Sequence, residues 1–114
     1  MRVTSALWVA AYLRRRNSEG LTAVVMQRGA EEAGAIVIVI DRLDGTSDIY
    51  VPAPQSAFAE EVGERLFQRV GAMLPPDKVE ERLARERRFD PDLWLVAVED
   101  REGRPMVGVV EEQP

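Results

Sequence analysis

The chain has 114 residues, 46% of them hydrophobic and 31% charged, with a net charge of −5. These are the proportions of one globular domain spanning residues 1–114. It contains neither Cys nor His, which excludes disulfides, thiol nucleophiles, imidazole bases, Ser-His-Asp triads and Cys-ligated metal centres.

Thr4 or Ser5 can cap a first helix reaching Ser18, with Gly20 as its stop. Helical spacing puts Ala6, Val9, Ala10 and Leu13 on one stripe, and Trp8, Ala11 and Tyr12 on the other side beside Arg15. A helix apolar nearly all round is buried on two sides or touches a partner. Residues 21–28 read as a strand and 29–34 as a loop. Residues 35–43 form the strongest strand, because Ile36-Val37-Ile38-Val39-Ile40 is continuous and β-branched. Asp44-Gly45 is a two-residue hairpin signal, and 46–51 return as a third strand ended by Pro52 and Pro54.

Residues 55–64 read as an irregular loop or a short helical turn, and 66–70 as a short edge strand. Pro75-Pro76 breaks the chain. Asp77 and Glu80 form a capping-box pattern that opens a second helix, running to Arg88 with a thin apolar stripe of Val79, Leu83 and Ala84. Asp90-Pro91 stops it. Residues 93–99 are a continuous apolar strand, Glu102-Gly103 a turn, 106–110 a last strand, and the remaining tail is frayed.

Three strands are apolar at consecutive positions, so both faces of the sheet centre should be covered. The expected fold is α+β: an antiparallel or mixed sheet of five or six strands with two helices. Either each helix covers one face, giving a small three-layer αβα sandwich, or both cover one face and a second subunit covers the other.

Four segments carry a family likeness: 8–15 (Trp8-Val9-Ala10-Ala11-Tyr12-Leu13-Arg14-Arg15), the loop edges Arg28-Gly29 and Ala33-Gly34-Ala35, Arg42–Thr46 with Pro52–Ser56, and Leu83–Trp94. Together they resemble an uncharacterised alphaproteobacterial family, the domain of unknown function numbered 1491. The likeness spans nearly the whole chain and departs around 60–74. It implies a bacterial cytoplasmic protein and carries over no activity, cofactor or catalytic residue.

Charge is blocked along the chain: +4 over 1–30, −7 over 31–64, +3 over 65–89 and −5 over 90–114. That pattern suits separate, self-complementary basic and acidic surfaces, and disfavours nucleic acid, which selects basic domains. Fourteen of the fifteen basic residues are Arg, a bias that codon usage explains more economically than ligand binding. No apolar run approaches the ~20 residues of a membrane span. The apolar stretch after Arg2 is followed directly by Arg14–Arg16, unlike a secretory signal, so the expected location is the cytoplasm.

Several constellations have simpler explanations than chemistry. Asp44-Gly45-Thr46 mimics the end of a phosphatase motif, but Arg42 stands where its nucleophilic Asp belongs. Asp41, Asp44 and Asp48 match no metal-loop spacing. Gly29 and Gly34 are spaced as in a phosphate loop, yet Ala35-Ile36 replaces its Lys-Ser/Thr and Glu31-Glu32 would repel phosphate. Arg82, Arg85, Arg87 and Arg88 interleave with acids and read as a solvated face. No metal or cofactor is expected. The candidate binding residues are Arg28, Gln55, Arg88, Asp90 and Trp94, although turn chemistry also accounts for the Asp90-Pro91 corner. The candidate interface is Trp8, Tyr12 and Arg15, since aromatic–Arg surfaces anchor protein contacts. The leading expectation is a non-catalytic interaction module that forms a homodimer through its first helix. The alternatives are a small carboxylate- and Arg-based or metal-assisted enzyme, and a nucleic-acid binder.

Overall fold

The computed structural model describes residues 3–54 and 65–110. Helix α1 (Ser5–Ser18) leads into strands β1 (Thr22–Gln27), β2 (Ile36–Asp41), β3 (Ser47–Pro52) and β4 (Leu66–Leu74). Helix α2 (Pro76–Phe89), β5 (Trp94–Glu99) and the two-residue β6 (Gly108–Val109) follow. The strands form one mixed sheet in the order β1-β5-β2-β3-β4-β6. β5 lies parallel to β2 and antiparallel to β1; β3 is antiparallel to both β2 and β4; β6 runs parallel to β4.

Strand alternation sorts the apolar runs into two cores. On one face Ile36, Ile38, Ile40, Trp94, Val96 and Val98 pack with Val9 and Tyr12 of α1. On the other, Val37, Ile49, Val51, Leu93 and Leu95 pack with Leu83 of α2. The helices thus flank the sheet, which is the three-layer arrangement. No helix among the described residues is long and apolar enough to cross a membrane.

Several details depart from the pattern reading. The buried stripe of α1 is Ser5, Val9, Tyr12 and Arg16, so the helix is turned away from the expected stripe and Ala10 is exposed. Two polar residues lie on the buried stripe because distant partners satisfy them. Ser5 Oγ donates to the Gly34 carbonyl at 2.7 Å, and Arg16 meets Asp100. β2 stops at Asp41, and the hairpin is wider than two residues. The Asp41 and Asp44 carboxylates accept from the Leu43 and Thr46 amides, and Leu43 and Gly45 take positive φ.

β4 runs on to Leu74 and has β6 on its outer side only at Leu66 and Phe67, so it is neither short nor wholly an edge. Register shifts within its pairing to β3, together with Gly71 and Ala72, hide it from a pattern search. Pro52 is the last residue of β3 and pairs with Phe67, so the strand ends there as expected. The capping box of α2 does not form: Pro75 is the N-cap, without a side-chain bond, and Pro76 opens the helix. The last strand is Gly108–Val109 alone. The loop expected at 55–64 and the tail beyond 110 lie outside the described residues.

Candidate functional site

The binding residues read from sequence gather in part. β1 ends beside the start of β5, and there the Arg28 guanidinium covers the Trp94 ring at 4.8 Å. Trp94 is buried and donates from its indole to the Ala30 carbonyl at 2.8 Å. Asp90 accepts from the Ala35 amide at 3.0 Å and the Asp92 amide at 2.9 Å, so its carboxylate fastens the turn. The glycines of the neighbouring loop are there for close approach: a Cβ on Gly29 or Gly34 would overlap the Asp92 carbonyl. Arg88 is not in this corner. It stands exposed on α2 with Arg85 and Phe89 around a shallow groove. Gln55 lies outside the described residues.

Of the interface residues, Tyr12 is buried and donates from its hydroxyl to the Pro105 carbonyl at 2.7 Å. Burial pushes its pKa up to about 12, against the lowering pull of Arg16. Trp8 is half-buried, stacked on Tyr12 at 5.1 Å and tilted against Phe67 at 5.5 Å. Arg15 donates to the Met106 carbonyl. A groove of about 190 Å³ remains beside Trp8, Ala11, Tyr12 and Arg15. These side chains chiefly fasten α1 to the loop before β6.

Two buried carboxylates, Asp48 and Asp100, carry no sequence mark of the ion pairs they make. Asp100 accepts from Arg16 and Arg104, each at 3.0 Å. Burial alone raises its carboxyl, but bonds from Arg104, the Glu102 amide and Arg16 outweigh that and hold it below the usual carboxylate range. The fully buried Arg16 also donates to the Arg104 carbonyl. Its Nε lies 3.0 Å from Glu19 Oε1, an ion pair whose angle falls short of a hydrogen bond. Asp48 accepts from Arg42 Nε at 3.1 Å and Nη2 at 2.7 Å, and from the Met73 amide at 2.7 Å. That fork raises the Arg42 pKa above its ordinary value. Both acids are therefore engaged by the protein's own framework. Among the described residues no group of three acidic side chains gathers as a metal site.

A further exposed apolar surface lies on the α2 side of the sheet. α2 sits over β3 and β4, and beside it the β2–β5–β1 part of the same face forms a groove of about 280 Å³. Its lining includes Met26, Val39, Val79, Leu83 and Ala97, with Glu80 and Arg87 on the helix side. Val24 and Met26 are 45% and 64% exposed. Arg87 reaches across to donate to Gln27 Oε1 at 3.0 Å. Sequence reasoning missed this groove because an apolar strand looks the same whether or not a helix covers it. The one available signal was the thinness of the α2 stripe.

Fold and surface together define a small mixed-sheet αβα protein with an internal charge network and shallow apolar grooves. The chain belongs to the family described as "Protein of unknown function (DUF1491)", whose model matches residues 3–108. It is similar to Atu0922 from A. tumefaciens, solved in solution, with 39% identity, a TM-score of 0.84 and coverage of 99% of this chain and 98% of that one. It is also similar to a DUF1491 family protein from Caulobacter crescentus CB15, known from a crystal structure (30% identity, TM-score 0.76, coverage 97% and 100%). An NMR structure of a DUF1491 family protein from the same organism gives 32% identity, TM-score 0.76 and coverage of 97% and 99%. No curated protein matches the chain.

Proposed function

We propose that the chain is a non-catalytic, cytoplasmic protein-interaction module that docks its partner on the half-bare sheet face beside α2. The observation that carries this reading is the exposure of Met26 on a groove lined by Leu95 and Leu83, with Val24 exposed beside it on the same sheet face. Apolar surface held open on a rigid sheet and rimmed by charge is a typical docking surface. The engagement of Asp48 and Asp100 by arginines supports binding over catalysis, since a catalytic acid must be free to exchange its proton. The first-helix interface is the weaker site, because Tyr12 is consumed by the core.

The test is a photo-reactive residue at Met26, compared with one at exposed Arg14 on α1. The Met26 probe is expected to capture a discrete protein in cells and the Arg14 probe not. Once identified, that protein should bind the purified chain and lose at least about tenfold in affinity to Met26→Glu. Equal capture from both positions, or binding indifferent to Met26→Glu, retires the reading.

A further inference from the structure

We infer that the occupant of this face is a second copy of the chain, an inference that rests on the docking reading above. The groove is electrically bipolar along its length. β4 ends at Leu74 opposite Ser47, which pairs with Asp41, which in turn pairs with Glu99. Helix α2 starts from that end of the sheet and returns to the other, where β5 begins. Glu80 therefore lies toward the end that holds Asp41 and Glu99. Arg87, about 10.5 Å further along the helix at 1.5 Å per residue, lies toward the opposite end, beside Gln27.

Among the described residues the acidic end also makes no ion pair of its own. Asp41 and Glu99 are register partners on adjacent strands, and alternation points both side chains to the α2 face. Like charges so placed repel, and neither makes an ion pair with a described residue. Glu80 likewise has no described ion-pair partner. This end calls for positive charge from outside the chain.

A two-fold axis through the middle of the groove supplies it. It sets each acidic end against the partner copy's Arg87 end, and lays the row of Val24 and Ala97 against its own symmetry mate with Met26 beside it. An isologous contact requires this self-complementarity, in which each patch meets itself reversed. An unrelated partner has no reason to match the chain's own dipolar spacing.

Sedimentation of the full chain and its variants tests the inference. Wild type is expected to dimerise. Glu80→Arg and Arg87→Glu are each expected to weaken dimerisation by at least about tenfold, because each sets like charges together. An equimolar mixture of the two variants is expected to regain wild-type affinity, since both contacts are then complementary again. Each variant must first show the wild-type thermal transition; Glu99→Arg, at an exposed strand end, replaces Glu80→Arg if that variant fails. A wild type that stays monomeric at about millimolar concentration, reversals without effect, or a mixture no tighter than its parts overturns the second copy. The docking face itself survives those outcomes if Met26→Glu still releases an identified partner of another kind, and falls if it does not.

Discussion

The two faces of the sheet are closed in different ways. The α1 face is held by directional bonds: Ser5, Tyr12, Arg15 and Arg16 each reach a backbone or carboxylate group far along the chain. The α2 face is held by apolar contact through Val79 and Leu83, with its arginines turned to the rim or to solvent. The first face is fixed in register by partners that accept only one geometry. The second depends on burying area and stops where α2 stops, which leaves Val24 and Met26 of β1 open and Val39 and Ala97 only half-buried. One face is therefore framework, and the other has surface to spare for binding.

Breaking the charge network should give the largest effect. Asp100→Ala leaves buried Arg16 with only the part-exposed Glu19 as counter-charge and is expected to cost about 3–5 kcal/mol in urea unfolding. A smaller loss on the same face comes from Tyr12 at high pH. Its folded pKa of about 12 lies above the ordinary tyrosine value of 10.0, so its stabilisation is complete below pH 10 and drains away as pH rises toward 12. The loss is on the order of 2–3 kcal/mol; Tyr12→Phe should abolish that alkaline limb, and one tyrosinate absorbance step should sit near pH 12. On the α2 face, Leu83→Ala should cost about 2 kcal/mol, the low end for a core leucine, because the adjoining groove lets the site relax. The smallest change is Arg28→Ala, which removes the guanidinium from Trp94 for about 0.5–1 kcal/mol. Should Leu83→Ala cost more than Asp100→Ala, the contrast between the faces is wrong.

The strands and helices were legible because each signal was local. The β-branched run of β2 and the Thr4 cap, which accepts from the Leu7 amide at 3.2 Å, need no distant residue to interpret. The rotation of α1 was not legible, since an arginine counts as buried only once its partner 84 residues away is known. The far end of β4 is hidden for a related reason: the Met73 amide, at positive φ, bonds to Asp48 on the neighbouring strand. The candidate site divides in the same way. Arg28 and Trp94 are far apart in the chain but each sits in a locally distinctive segment, whereas the groove is built from residues that carry no local mark. Its bareness depends on how far α2 reaches.

The loop of residues 100–106 is where the chain's ends are tied together. Arg16 and Tyr12 are satisfied there, and Arg42 lies flat against Gly103, where φ is +67° and a side chain would strike the guanidinium. Helix α1 therefore cannot settle until residues 100–106 have emerged from the ribosome. Such delayed closure is the slow step expected when contacts span most of a sequence. Until then α1 leaves the nascent chain with Trp8 and Val9 uncovered, so a chain halted before residue 100 should be a ready client for chaperones and proteases.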